Sequence, residues 1–350
     1  VRIAVTVDPD IPVPPTLYGG IERIVDFLVR GLVARGHDVT LLANAASRTA
    51  GRLVPYGVPP HVGRRARVAE LWQVGSYLTR HLAAFDLVHS FGRLAALLPI
   101  LPVRRIPKIQ SYQRDAVPWR SVRTAQRLAG PSIRFTGCST SVYAGPGGSG
   151  PPAGRWQTIF NGADLSRYTF VAAVPQDAPL VFLGRLERFK GPHHAIAIAR
   201  RAGRRLVIAG PRVVSGPDAD FFDREIAPHL SDRITYVGLL DDPGKDALLG
   251  SAAALLMPIE WAEPFGIVMA EALACGTPVV GAPRGSVPEV VRDGVNGYLA
   301  ETIDDAAAAV ARLGAIDRRV VRADAEARFS DRAIVDQYEA LYREMREQTA

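Results

Sequence analysis

Cysteine is nearly absent from the 350 residues. Cys138 and Cys275 stand alone and far apart, which excludes a disulfide framework and every CxxC-type zinc spacing. Lysine is also scarce for so basic a chain. Lys108, Lys190 and Lys245 are the only three, so its arginine richness partly reflects composition bias rather than phosphate recognition alone. Long apolar runs are missing too. The stretches Val1–Val7, Val207–Ala209 and Ala252–Met257 are bounded by Gly, Pro or charge and fall far short of the roughly 20 residues that cross a bilayer. The opening run VRIAVTV lacks the apolar length and small-residue cleavage site of a signal peptide and is expected to be a core strand. A reducing cytoplasm suits this pattern. Zinc fingers, aromatic RNA-binding platforms and basic recognition helices are also missing, so nucleic acid is not an expected partner.

What is present is the balance of an ordinary soluble chain, with 48% hydrophobic and 22% charged residues. The length suits two domains of about 170 residues each. Charge is unevenly shared along it. Residues 1–168 hold 21 Arg and Lys against 9 Asp and Glu, a net of +12, whereas the remainder carries a net of −5. A field of that size favours anionic surfaces, and an anionic membrane or a phosphorylated acceptor is the expected partner of the first half.

Both halves alternate between strand and helix patterns. VRIAVTV is followed by an amphipathic stretch, Gly20–Arg35, whose Ile21, Ile24, Val25, Leu28 and Leu32 recur at helical spacing. Strands are expected at 38–43, 87–90, 108–112, 134–138 and 157–160. The Gly/Pro-rich run 145–154 reads as a flexible surface loop. After a linker at 168–179, strands at 180–183, 205–209, 234–237, 254–258 and 278–281 alternate with helices at 193–202, 218–229, 245–251 and 266–275. An amphipathic stretch at 333–346 follows. The pattern predicts an α/β chain of two doubly wound parallel sheets, whose ligands bind at the strand ends.

Three places offer chemistry. Tyr18-Gly19-Gly20-Ile21-Glu22 puts glycines at a helix start, where backbone N–H groups and the helix dipole suit an anion; a plain turn would look the same. It is not a GxGxxG fingerprint. Gly184-Arg185-Leu186-Glu187-Arg188-Phe189-Lys190-Gly191 follows a core strand. Its Arg185 and Lys190 are either cations for a diphosphate leaving group or ordinary surface charges. In Glu260-Trp261-Ala262-Glu263-Pro264-Phe265-Gly266-Ile267-Val268-Met269-Ala270-Glu271, Pro264 suits a first helical turn. On such a helix eight residues would separate Glu263 and Glu271 by about 12 Å. That is too far to share one glycosidic bond, though suited to gripping two parts of an extended ligand.

Taken in order, these motifs resemble the family 4 glycosyltransferases of GT-B architecture. Gly276-Thr277-Pro278-Val279-Val280, Gly285-Ser286-Val287-Pro288-Glu289, Asp293-Gly294-Val295-Asn296-Gly297 and Asn161-Gly162-Ala163-Asp164 add to the likeness, which spans essentially the whole chain. The resemblance implies two Rossmann-like domains facing an interdomain cleft: residues 1–170 on the acceptor side, 171–330 for the nucleotide-sugar donor, and a helix at 331–350 packing back on the first. It implies retaining transfer of a hexose from a UDP- or GDP-linked sugar to a carbohydrate, lipid-linked or small-molecule acceptor, by front-face attack in which the leaving phosphate takes the acceptor proton. Neither a metal ion nor a cofactor is expected.

By the same resemblance Arg185 and Lys190 bind the diphosphate with the backbone of Gly19 and Gly20. Glu271 holds the ribose, Glu263 and the backbone of Phe265, Gly266 and Ile267 meet the sugar, and Gly238 and Leu239 meet the base. Many relatives carry a His-x-His step where this chain has His89-Ser90-Phe91, so His89 either reaches the sugar or merely ends its strand. Tyr112 and Trp119 either stack on the acceptor or pack in the core. His193 and His194 lack metal spacing, and Cys275 reads as a packed apolar residue. A nucleotide-sugar 2-epimerase and a silent nucleotide-sugar-binding protein are the alternatives, and the site of action is cytoplasmic, at most peripheral on the inner face of a membrane.

Overall fold

A computed structural model describes residues 1–16, 19–57, 63–144 and 155–349. The chain forms two units, Val1–Phe160 with Asp331–Ala350, and Asn161–Ser330. The expected loop at 145–154 lies outside the described residues.

In the first unit, Ile3, Ala4 and Val5 of β1 (Arg2–Thr6) are all buried, as befits a central strand covered on both faces. It pairs in parallel with β2 (Asp38–Ala43), which pairs with β3 (Arg52–Pro55). On its other side lie β4 (Leu87–Ser90), β5 (Lys108–Tyr112), β6 (Ile133–Gly137) and β7 (Trp156–Thr158), giving the order β3-β2-β1-β4-β5-β6-β7. The order reverses between β1 and β4. Helices α1 (Gly20–Ala34), α2 (Arg64–His81) and α3 (Trp119–Ala129) connect the strands.

The second unit repeats the plan with β8 (Leu180–Leu183), β9 (Leu206–Ala209), β10 (Ile234–Tyr236), β11 (Ala254–Met257), β12 (Val279–Gly281) and β13 (Gly297–Leu299), ordered β10-β9-β8-β11-β12-β13. Its helices are α4 (Pro192–Arg201), α5 (Asp242–Ser251), α6 (Ile267–Ala274), α7 (Val287–Val290), α8 (Ile303–Ala311) and α9 (Arg318–Phe329). The expected helix over 218–229 is broken into short turns, Phe222–Ile226 and Ala227–His229. Pro228 removes a backbone donor there and clashes with the preceding turn.

The last helix, α10 (Asp331–Glu347), returns to the first unit. Ile334, Val335, Tyr338, Leu341, Tyr342 and Met345 form its buried stripe. Arg35 pairs with Asp336 at 2.6 Å and with Glu339 at 2.7 Å. Residues 161–170, assigned to the first domain by sequence, group with the second unit instead. Ala163 N–H donates to Phe329 O at 2.8 Å, Arg167 meets Asp242 at 2.8 Å, and Thr169 N–H donates to Asp246 at 2.7 Å.

Candidate active site

The carboxyl ends of β8, β9 and β10 carry Gly184, Gly210 and Gly238. Gly210 N–H donates to Gly238 O at 2.8 Å, and at its φ of +135° a Cβ would strike Gly184 O at 1.9 Å. Only glycine permits that approach, and it leaves this rim of the sheet low. The chain then runs through Arg185 to Lys190, the last residue of a single helical turn, Arg188–Lys190.

Lys190 Nζ meets Glu263 Oε2 at 2.5 Å, and the indole N–H of Trp261 donates to the same oxygen at 3.0 Å. The ammonium lies 4.6 Å from the Trp261 ring centroid, a cation–π distance. Arg185 pairs with Glu187 at 3.0 Å. Burial pushes the Glu187 carboxyl up, while Arg185 and Lys190 draw it down and the Glu263 charge adds to the rise, so all four charges share one patch.

Glu263 does not stand on a helix, contrary to the sequence expectation. Gly266 takes a left-handed conformation and α6 begins only at Ile267, so Pro264 precedes the helix and the 12 Å estimate for Glu263 to Glu271 does not hold. The carboxylate-bearing segment is clamped instead. Gly285, at φ +57°, lies where a Cβ would fall 2.3 Å from Glu263 N; Ser286 N–H donates to Glu263 O and its hydroxyl to Phe265 O, both at 2.9 Å.

Glu271 is on α6 and buried. The Tyr168 hydroxyl donates to its Oε1 at 2.6 Å, and Lys245 Nζ lies 3.2 Å from the same atom. A buried acid there therefore has partners, as its cost requires. The Phe265 ring is core, edge-on to Phe329 at 5.8 Å, and Leu239 stands exposed beside Gly238. The Cys275 thiol is buried, which pushes its ionisation up and suits a packed residue.

In the first unit Gly19 caps α1, and a Cβ on it would lie 2.8 Å from Glu22 Oε2. The positive helix end thus faces this chain's own carboxyl, which burial pushes toward its neutral form.

His89 is a correction. It is 0% exposed, with Nδ1 2.6 Å from the Tyr342 hydroxyl and Nε2 2.7 Å from Ser111 Oγ. Both ring nitrogens are engaged under α10, which places the side chain in the core rather than at a ligand. Tyr112 and Trp119 join an aromatic cluster about Trp156, at 5.6 and 5.5 Å between ring centroids, and the Tyr112 hydroxyl has no hydrogen-bond partner among the described residues. Packing accounts for both rings in this structure.

Sequence reasoning also missed that Glu260 joins His193 and His194. One ligand atom from each lies within 4.8 Å of the others, although the two histidines alone lack metal spacing. Tyr168, Lys245, Trp261 and Glu187 went unnoticed as site residues. Trp261 and Glu187 do lie inside the motifs that were read, which was the available signal.

Known proteins resemble this chain over most of its length. Residues 18–167 match the family described as Glycosyltransferase Family 4, and residues 171–329 match Glycosyl transferases group 1. The glycogen synthase of Mycobacterium tuberculosis (strain ATCC 25618 / H37Rv) is 28% identical over 358 aligned positions, covering 87% of this chain and 84% of that one. The phosphatidyl-myo-inositol mannosyltransferase of the same strain is 28% identical over 312, covering 80% and 78%. Among solved structures, AviGT4, a glycosyltransferase involved in avilamycin A biosynthesis, superimposes with a TM-score of 0.72 at 25% identity, covering 99% of this chain and 98% of that one. Anabaena HepE in complex with UDP and glucose gives 0.72 at 21%, covering 97% and 98%. With one family model on each half of its sequence and a doubly wound sheet in each unit, the chain belongs to the family 4 glycosyltransferases of GT-B fold.

Proposed function

We propose that this chain is a retaining hexosyltransferase that uses a UDP- or GDP-linked sugar and needs neither a metal ion nor a cofactor. The observation that carries the reading is the Lys190–Glu263 pair under Trp261, with Arg185 and Glu187 beside it at the rim of the second sheet. A diphosphate leaving group gathers negative charge as its bond to the anomeric carbon breaks, and fixed cations aimed at that charge are the main lever on the barrier. Arg185 and Lys190 supply them.

Glu263, oriented by the Trp261 indole, takes hydroxyls of the transferred sugar with the backbone of Phe265, Gly266 and Ile267. Glu271, held by Tyr168 and Lys245, takes the ribose hydroxyls. Gly238 and Leu239 border the base, and the backbone of Gly19 and Gly20 adds donors to the diphosphate. The acceptor oxygen bonds to the anomeric carbon on the face the diphosphate leaves, and its proton passes to a departing phosphate oxygen. No protein nucleophile is needed.

The two mycobacterial relatives are a synthase and a transferase, and AviGT4 is a glycosyltransferase, which favours transfer over epimerisation or silent binding. UDP and glucose in the Anabaena structure make UDP-glucose the first donor to try. The mannosyltransferase, whose named acceptor is a phosphatidylinositol, supports a lipid-linked acceptor and cytoplasmic work at a membrane's inner face. No helix among the described residues is long and apolar enough to cross a membrane. A thermal-shift screen with UDP, GDP, ADP and their sugar conjugates, with chelator and again with Mg²⁺, tests the donor. A rise with one nucleotide that survives chelation supports the reading; no rise with any of them defeats it.

A further inference from the structure

The first unit's sheet has its own switch point, between β1 and β4, and ligands of open parallel sheets bind outside the carboxyl ends of the strands at such a place. The structure puts a crevice there. Thr6, Asp8, Tyr56, Glu70, Gly92 and Arg93 line a space of about 10 Å³, room for one water or one hydroxyl. Thr6 is 2% exposed, and its hydroxyl has no hydrogen-bond partner among the described residues. A buried polar group without a partner is costly, so this position awaits one from outside.

The rim is acidic although this half of the chain is strongly basic. Arg93 lies 3.7 Å from Asp8, 3.9 Å from Asp10 and 3.4 Å from Glu70, so one guanidinium serves three carboxyls. Glu22 adds a fourth, and Arg114 is a second cation whose charge reaches Asp8 and Glu22. Burial pushes the Asp8 and Glu22 carboxyls up, with a smaller rise from the neighbouring acids that Arg93 and Arg114 oppose.

We propose that this crevice receives the acceptor and selects a ring that enters by unesterified hydroxyls, excluding one that enters by a phosphate; this rests on the transferase reading above. Ionised carboxylates only accept hydrogen bonds, which matches vicinal hydroxyls. A phosphate brought to the same rim meets like charge. The deepest hydroxyl fills the one-hydroxyl space and satisfies Thr6, while Glu70 and Asp8 hold its neighbours. These are specificity residues, not proton acceptors.

The test uses the full chain and two matched pairs, glucose with glucose 6-phosphate and myo-inositol with myo-inositol 1-phosphate, followed by NMR or thermal shift without donor. At least one neutral ring should bind about tenfold or more tighter than its phosphate ester, and Thr6→Val and Glu70→Gln should each weaken it by about tenfold. UDP or GDP affinity should stay within about twofold in both variants, as expected of sites that share no partners. Thr6→Val is isosteric and removes only an unpartnered hydroxyl, so it remains a folded test if Glu70→Gln does not. Tighter binding of the esters, no binding of either neutral ring, or neutral binding indifferent to both variants overturns the proposal, the last two leaving the crevice a place for structural water. Ring binding without nucleotide binding would sink the donor reading and spare this one.

Discussion

Lys190 and Glu263 each answer the other's charge, so neither can be removed without leaving the other exposed to its surroundings. Lys190→Ala should lower kcat about a hundredfold to a thousandfold, the effect of losing one preorganised charge at a leaving group, while donor KM changes little. Glu271→Ala should raise donor KM by about tenfold through lost hydrogen bonds to the ribose, with a smaller change in kcat. Steady-state kinetics on both variants separate the roles; unchanged kinetics in both would remove the assignment. His89 gives a different kind of prediction. Burial pulls its ring from the ordinary pKa of about 6.5 down to about 3. The unfolded chain takes up that proton at pH 6.5 and the folded one does not. The ring's contribution is complete above pH 6.5 and is lost as pH falls toward 3, by about tenfold in the folding constant per pH unit. Urea midpoints between pH 7 and pH 4 should therefore slope more steeply for this chain than for His89→Gln. Arg185, Lys190, Glu263 and Glu271 stood out in the sequence as candidates because their motifs are local, whereas Lys245, contributed by a separate helix, did not. The fate of His89 was not legible, because its Tyr342 partner lies 253 positions away.

Among the elements, α2 shows why some of the fold escaped sequence reading. Its buried Ala66, Glu70, Val74 and Leu78 include an acid, while its solvent side carries Trp72 at 68% exposure and Val68 at 59%. Apolar residues on both sides blur the helical period. β3 and β13 are short, with four and three residues, and offer too few alternations to register. The central strands β8 and β11 of the second sheet were plain because they are continuous apolar runs, closed by Gly184 and Pro258. The exposed pair on α2, one turn apart and next to Arg64, Arg65 and Arg67, has the chemistry of a peripheral membrane contact: apolar groups for the interface and cations for lipid headgroups. Trp72→Ser should reduce co-sedimentation with anionic vesicles at low salt and leave thermal stability almost unchanged, since the side chain packs mostly against solvent. Equal binding by both proteins would place the contact elsewhere or nowhere.

For the molecule as a whole, ligand binding and stability are linked. The correct nucleoside diphosphate at about a hundred times its Kd should add about 2.7 kcal/mol to unfolding, visible as a higher Tm that a chelator does not abolish. Vesicle binding should fall as salt rises, because a surplus of +12 in the first half of the sequence acts through a screened field.

The order of synthesis gives α10 a meaning beyond packing. The first unit is interrupted after Phe160 and resumes at Asp331, so the ribosome must make all of Asn161–Ser330 before the helix that finishes the earlier sheet can emerge. Until Tyr342 arrives, the polar atoms of His89 on β4 have only Ser111 of β5 for company, and the groove meant for Tyr338, Leu341 and Met345 stands open. A nascent chain broken off anywhere in the second unit thus carries an unfinished first one. Its bare apolar groove is the kind of surface that chaperones and proteases act upon, and completion of the last helix becomes the molecular signal that translation reached this point.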